Sequence, residues 1–235
     1  MPPTRQHYLL AGLSMILYGI LMIPSLPWLF VAFFGAVVEP YILFDFLRGD
    51  PLLLFLVIFL FSVFNLILAV SFSLLGHTSE IRGFSTASKI TMYLFVSMSL
   101  FAIYVYLFVT GNIIAPISSL GAIPLVSNIY ALLTALNFLF IFPLFFVIFG
   151  LAISEFGKKV SSAYFRIIGK LILCFGFILI YPIHAFVFLF IFFIFTGQLS
   201  MSSAELLVYS GLGYSLIVSF IGILILTIGI RMCRW

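Results

Sequence analysis

The sequence predicts an all-α, polytopic integral membrane protein: a six-helix transmembrane bundle with a short re-entrant or interfacial outer segment after the first helix. Three observations predict it. Of 235 residues, 65% are hydrophobic and only 7% carry a charge, a balance that no water-soluble domain sustains. Asp, Glu, Lys and Arg are missing from five stretches, 6–38, 51–79, 90–154, 171–204 and 206–230, which leave less than a quarter of the chain between them. Finally, the charges in the gaps alternate in sign bias from one gap to the next. This leaves no room here for a nucleotide-binding domain, a redox head or an extracellular receptor module.

A helix needs about 20 apolar residues to cross a hydrocarbon core of about 30 Å. The first helix is expected over 8–28. Its basic start and apolar run resemble a signal peptide, but Ile23-Pro24-Ser25-Leu26-Pro27 lacks a small-x-small cleavage pattern, so it is read as retained. Pro24 and Pro27 are expected to end or kink it. That leaves Trp28–Val38 too short to cross and makes 28–47 the re-entrant or interfacial segment. The second helix is expected over 51–76, with Asp50 as N-cap and Pro51 in the first turn. Ser85-Thr86-Ala87-Ser88 does similar duty before a third helix over 89–111.

The long uncharged run 90–154 must hold two helices. Gly111-Asn112, Pro116, Ser118-Ser119, Gly121 and Pro124 break it, so the fourth helix is expected over 129–154. The fifth and sixth follow over 171–196 and 206–230. Outer loops then cover 29–50, 112–128 and 197–205. Nine of the ten basic residues fall on the opposite side, in the N-terminal segment, 77–89, 155–170 and the C-terminal segment, so both termini are expected in the cytoplasm. Basic residues scattered in this way form no stripe for nucleic acid, despite a net charge of +4.

An intramembrane polar side chain costs free energy unless paired, so each one marks a possible site. Asn65, Tyr104, Tyr181 and His184 fall near mid-depth by count from the helix ends, and could line a pocket for a quinone, a lipid head group or a small solute. Pro143 and Pro182 fall at the same level, and helix kinks at the midplane are what transporter sites use. No Asp, Glu, Lys or Arg lies at depth, which weighs against proton pumps and carboxylate-coupled transport. A b-type haem would need a second axial ligand level with His184, and His7 and His77 sit at helix ends.

Motifs for catalysis are missing. Gly213-Tyr214-Ser215-Leu216-Ile217 lacks the last glycine of a serine-protease elbow, there is no His-Glu-x-x-His, and Gly49-Asp50 has no helical aspartate partner. The two cysteines, Cys174 in an apolar run and Cys233 next to Arg234, make no framework; Cys233 is a possible lipidation site.

Packing surfaces are more legible. Gly211, Ser215, Ser219, Gly222 and Gly229 fall on one face of the sixth helix, and small residues let backbones approach closely in a membrane. Gly12 and Gly19, seven apart in the first helix, could meet that face, although the seam could equally join two chains. Lys158, Lys159, Arg166 and Lys170 alternate with Val160, Tyr164, Phe165, Ile167 and Ile168, as in an interfacial helix touching anionic lipid head groups. The uncharged outer segment 111–128 is expected on the membrane surface or under another subunit.

These features are best met by a non-catalytic integral membrane subunit that packs in the lipid bilayer against other integral membrane proteins, with no cofactor. The alternatives are a small solute transporter or channel with a midplane site, and a quinone- or b-haem-binding redox subunit.

Overall fold

The computed structural model describes residues 5–38, 51–109, 140–196 and 201–234, with side chains at 5–23, 55–56, 59–100, 102–103, 140–180, 213 and 216–234. Among the described residues the chain is all-helical, with no strand. Six helices follow one another: α1 (Arg5–Val38), α2 (Pro51–Ser79), α3 (Arg82–Val109), α4 (Phe142–Lys159), α5 (Ala163–Thr196) and α6 (Met201–Met232). Three of them, α1, α2 and α5, contain described stretches long and apolar enough to cross a membrane: Arg5–Ile23, Phe59–Ser79 and Ala163–Ile180.

Consecutive helices lie side by side, and α1 returns to α6, so the six close into a ring. The most extensive contacts are α1 with α6, α2 with α3 and α4 with α5. Successive helices run antiparallel. The start of α1, the end of α2, the start of α3, the end of α4, the start of α5 and the end of α6 all meet at one pole. There Tyr8 and Phe84 lie 5.9 and 6.2 Å from Phe156, Phe165 lies 5.3 Å from it, and Arg231 sits 5.6 Å over the Tyr164 ring.

Helical periodicity decides which residues face in. In α1 Ala11, Met15, Tyr18 and Met22, spaced by 4, 3 and 4, are fully buried, whereas Leu13, Leu17 and Ile20 are exposed. The outer stripe is as apolar as the inner one, which fits a hydrocarbon solvent and not water. The ring's interior is filled by aromatic rings. Tyr18 of α1 stacks on Phe61 of α2 at 5.5 Å and meets Phe145 of α4 edge-on at 6.2 Å. Phe72 of α2 reaches Phe84, Phe145 and Phe149 at 5.9, 6.2 and 5.2 Å. Helix α4 buries most of its length, from Phe142 to Gly157, and leaves Leu144, Leu151, Glu155, Lys158 and Lys159 exposed.

The helices are longer than the sequence predicts. The first does not stop at 28, and 28–38 is neither a re-entrant turn nor part of an outer loop: α1 stays helical through Pro24 and Pro27 to Val38, about 51 Å at 1.5 Å per residue. Each proline removes one hydrogen bond, whereas leaving the helix among apolar groups would orphan many. Helix α3 begins at Arg82, so Ser85–Ser88 are inside it and cap nothing. The expected interfacial helix over 155–170 does not exist as a unit; it is the end of α4, a turn at 160–162 with Ser161 at φ 54°, and the start of α5. Charged residues at these ends did not stop the helices: the Arg166 stem packs against Gly157 of α4, and Lys159 reaches the Ser79 carbonyl. Pro51 opens α2 as predicted; Asp50 and the segments 39–50 and 110–139 lie outside the described residues.

Candidate functional sites

The midplane group is described at one member. Asn65 lies fourteen residues before the end of α2, about 21 Å from the basic pole. It is completely buried. Its Nδ2 donates to the Phe61 carbonyl at 2.9 Å and points at Met98 Sδ of α3 at 3.9 Å. Its Oδ1 is buried with no hydrogen-bond partner among the described residues, a condition that costs about 1–3 kcal/mol. One turn away Ser62 Oγ meets Ser99 Oγ of α3 and also donates to the Phe95 carbonyl at 2.9 Å. Tyr104 lies in α3, and Tyr181, Pro182 and His184 lie in α5, whose backbone is helical through all three; their side chains fall outside those described. Pro143 is buried in the first turn of α4, just after a π-helical turn at 140–141.

The small-residue face of α6 is an internal seam. A Cβ on Gly12 would meet Cys233 Sγ at 2.6 Å and the Gly229 carbonyl at 2.8 Å; one on Gly19 would meet the Gly222 carbonyl at 2.7 Å. Ser219 Oγ donates to the Ile23 carbonyl at 3.3 Å, closing the same line. Gly211 and Ser215 belong to α6, with side chains outside those described. Cys233 Sγ reaches the Leu9 carbonyl at 3.9 Å, and burial raises the pKa of its thiol. The sulfur that was a possible lipidation site is tucked against α1.

A second seam was not anticipated. Gly150 and Gly157 of α4 face Gly169 and Gly176 of α5. A Cβ on Gly169 would sit 2.5 Å from the Ser154 amide nitrogen, and one on Gly157 would sit 2.5 Å from the Arg166 nitrogen and 2.9 Å from its Cγ. The signal was available, since both pairs are spaced by seven. Placing the helix ends at 154 and 171 put Gly157 and Gly169 in a loop and hid it.

At the basic pole the four candidate head-group contacts divide. Lys159 Nζ donates to the Ser79 carbonyl at 2.5 Å and pairs with Glu80 at 3.8 Å. It therefore caps the C-terminus of α2, where the helix dipole favours a cation, and so ties α4 to the α2–α3 turn. With Glu80 86% exposed, the ion pair itself contributes little. Lys158, Arg166 and Lys170 are exposed. Among the described residues no three of His, Cys, Asp and Glu come together to hold a metal.

Compared with protein-family models, curated proteins and solved structures, the chain matches none of them.

Proposed function

We propose that this chain is a non-catalytic integral membrane subunit: six crossings, both termini in the cytoplasm, assembled against other membrane proteins in a larger complex. The observation that carries this reading is the aromatic filling of the bundle interior among the described residues. Tyr18, Phe61, Phe72, Phe145 and Phe149 interlock across α1, α2 and α4 where a channel would need a hydrated path. The two glycine seams and the aromatic column favour a fixed scaffold over a moving one. The gathering of nine basic residues at the pole that holds the first and last described residues supports a cytoplasmic position for it. Because the α1–α6 seam is occupied internally, partners would dock on the exterior or on the apolar segment 111–128.

Mild-detergent purification of a tagged chain from its native membrane tests this. Stoichiometric membrane partners are expected. A chain that purifies alone and carries solute flux in liposomes would reverse the reading in favour of transport.

The unsatisfied Asn65 Oδ1 favours a second reading, a midplane binding site in a small transporter. Substitution separates the two. Under the scaffold reading Asn65→Leu removes an orphaned acceptor and leaves thermal stability equal or raised, and neither it nor His184→Gln disturbs the function of the complex. Loss of function with normal assembly in both variants would support the site.

A further inference from the structure

Two helical hairpins turn at the basic pole, and their charges are treated differently. At the α2–α3 turn Glu80 and the Ser79 carbonyl engage Lys159. At the α4–α5 turn Lys158, Arg166 and Lys170 are exposed, and the one acid on the adjoining helices among the described residues is Glu155, on α4. With no side chain at Gly157, the Arg166 stem packs against the last turn of α4, the turn that carries Lys158. On the other flank Arg231 of α6 is held over Tyr164 at 5.6 Å. The start of α5 adds the positive end of its helix dipole. Directly below the cations an apolar stripe continues along the outside of α5, where Ile167, Leu171 and Ile178 are exposed, Ile167 by 59%.

A cluster of cations above an apolar stripe is complementary to one kind of molecule. We propose that the α4–α5 turn is a clamp for an anionic phospholipid, with Lys158, Arg166 and Lys170 toward the head-group phosphate and the acyl chains along Ile167, Leu171 and Ile178; Arg231, on the opposite flank of α5, is outside it. Lys159, bound to the α2–α3 turn, takes no part. The proposal rests on the placement of the bundle in a membrane but is independent of any partner subunit, which co-purification judges separately.

The test compares the full chain in nanodiscs of phosphatidylglycerol and of phosphatidylcholine, reading the melting temperature and, by native mass spectrometry, the retained lipid. The wild type should melt higher in phosphatidylglycerol and keep that lipid through dilution. Lys158→Gln with Arg166→Gln should weaken its retention by about tenfold or more, since loss of even one charge-assisted hydrogen bond to a phosphate costs about tenfold. Arg82→Gln with Lys89→Gln, the same charge change on α3, should retain it like the wild type. Lys158→Gln alone, at an exposed position, should give an intermediate loss and guards against misfolding of the double variant. Equal loss in the α3 control would mean general attraction to a charged surface and would overturn the clamp. So would identical melting in the two lipids, or a matching rise when inorganic phosphate is added to the phosphatidylcholine discs.

Discussion

The α4–α5 pair and the α2–α3 pair solve the same problem with different chemistry. Lipid is as apolar as leucine, so burying apolar surface does not drive helices together inside it. Helices α4 and α5 respond by removing side chains: Gly150, Gly157, Gly169 and Gly176 let backbone approach backbone. Helices α2 and α3 rely chiefly on hydroxyls, Ser62 with Ser99 and Ser88 Oγ donating to the Ala69 carbonyl at 2.7 Å, with one glycine, Gly76, set against the Ser85 backbone. The first arrangement depends on shape and tolerates no added atom. The second depends on hydrogen bonds that an unassembled helix can partly replace with its own carbonyls, as Ser71 does with Ile67 at 2.9 Å. Close packing should therefore be the more sensitive of the two to substitution.

The largest effect is expected at Gly169. Its valine variant places atoms against the Ser154 and Gly150 backbone, which cannot yield as a side chain would, so a loss of about 3 kcal/mol or more is expected in thermal unfolding. Gly213→Val, where nothing among the described residues lies within 4 Å, should be close to neutral; equal losses at the two sites would remove the distinction. Ser219→Phe forces a ring into the α1–α6 seam and should cost about 1–3 kcal/mol. Replacing Ser62 and Ser99 together by alanine should cost less, about 0.6–1.7 kcal/mol. If that pair proves the costlier change, hydroxyls and not glycines hold the bundle.

The smallest effect concerns pH. Cys233 has its pKa raised by burial, so the folded state keeps its thiol neutral. Its contribution to stability is complete below the ordinary cysteine value near 9.0 and is lost as pH rises through the higher folded value. Maleimide labelling at pH 8 should accordingly be slower for Cys233 than for a cysteine in an unstructured peptide.

These same residues show what the sequence made legible. The α1–α6 seam could be read because Gly12, Gly19, Gly222 and Gly229 all lie within uncharged runs that were assigned to helices. The identical spacing at Gly150, Gly157, Gly169 and Gly176 was hidden by Lys158, Lys159, Arg166 and Lys170, whose charges marked a loop in sequence but only decorate helix ends in space. Pro24 and Pro27 misled in the opposite direction, because a local breaker was weighed without the cost of unpaired backbone in hydrocarbon. At the midplane, composition identified Asn65 as buried and polar. It could not foresee that the amide would satisfy its NH₂ within its own helix and leave its oxygen unpaired.

Closing the ring through α1 and α6 has a consequence for biosynthesis. Gly12 meets a surface that includes Gly229, so at about 5–20 residues per second the ribosome needs roughly 10–40 s to supply the partner of a groove that is already in the bilayer. During that interval the bare backbone of α1 must be occupied by lipid, an insertase or a chaperone.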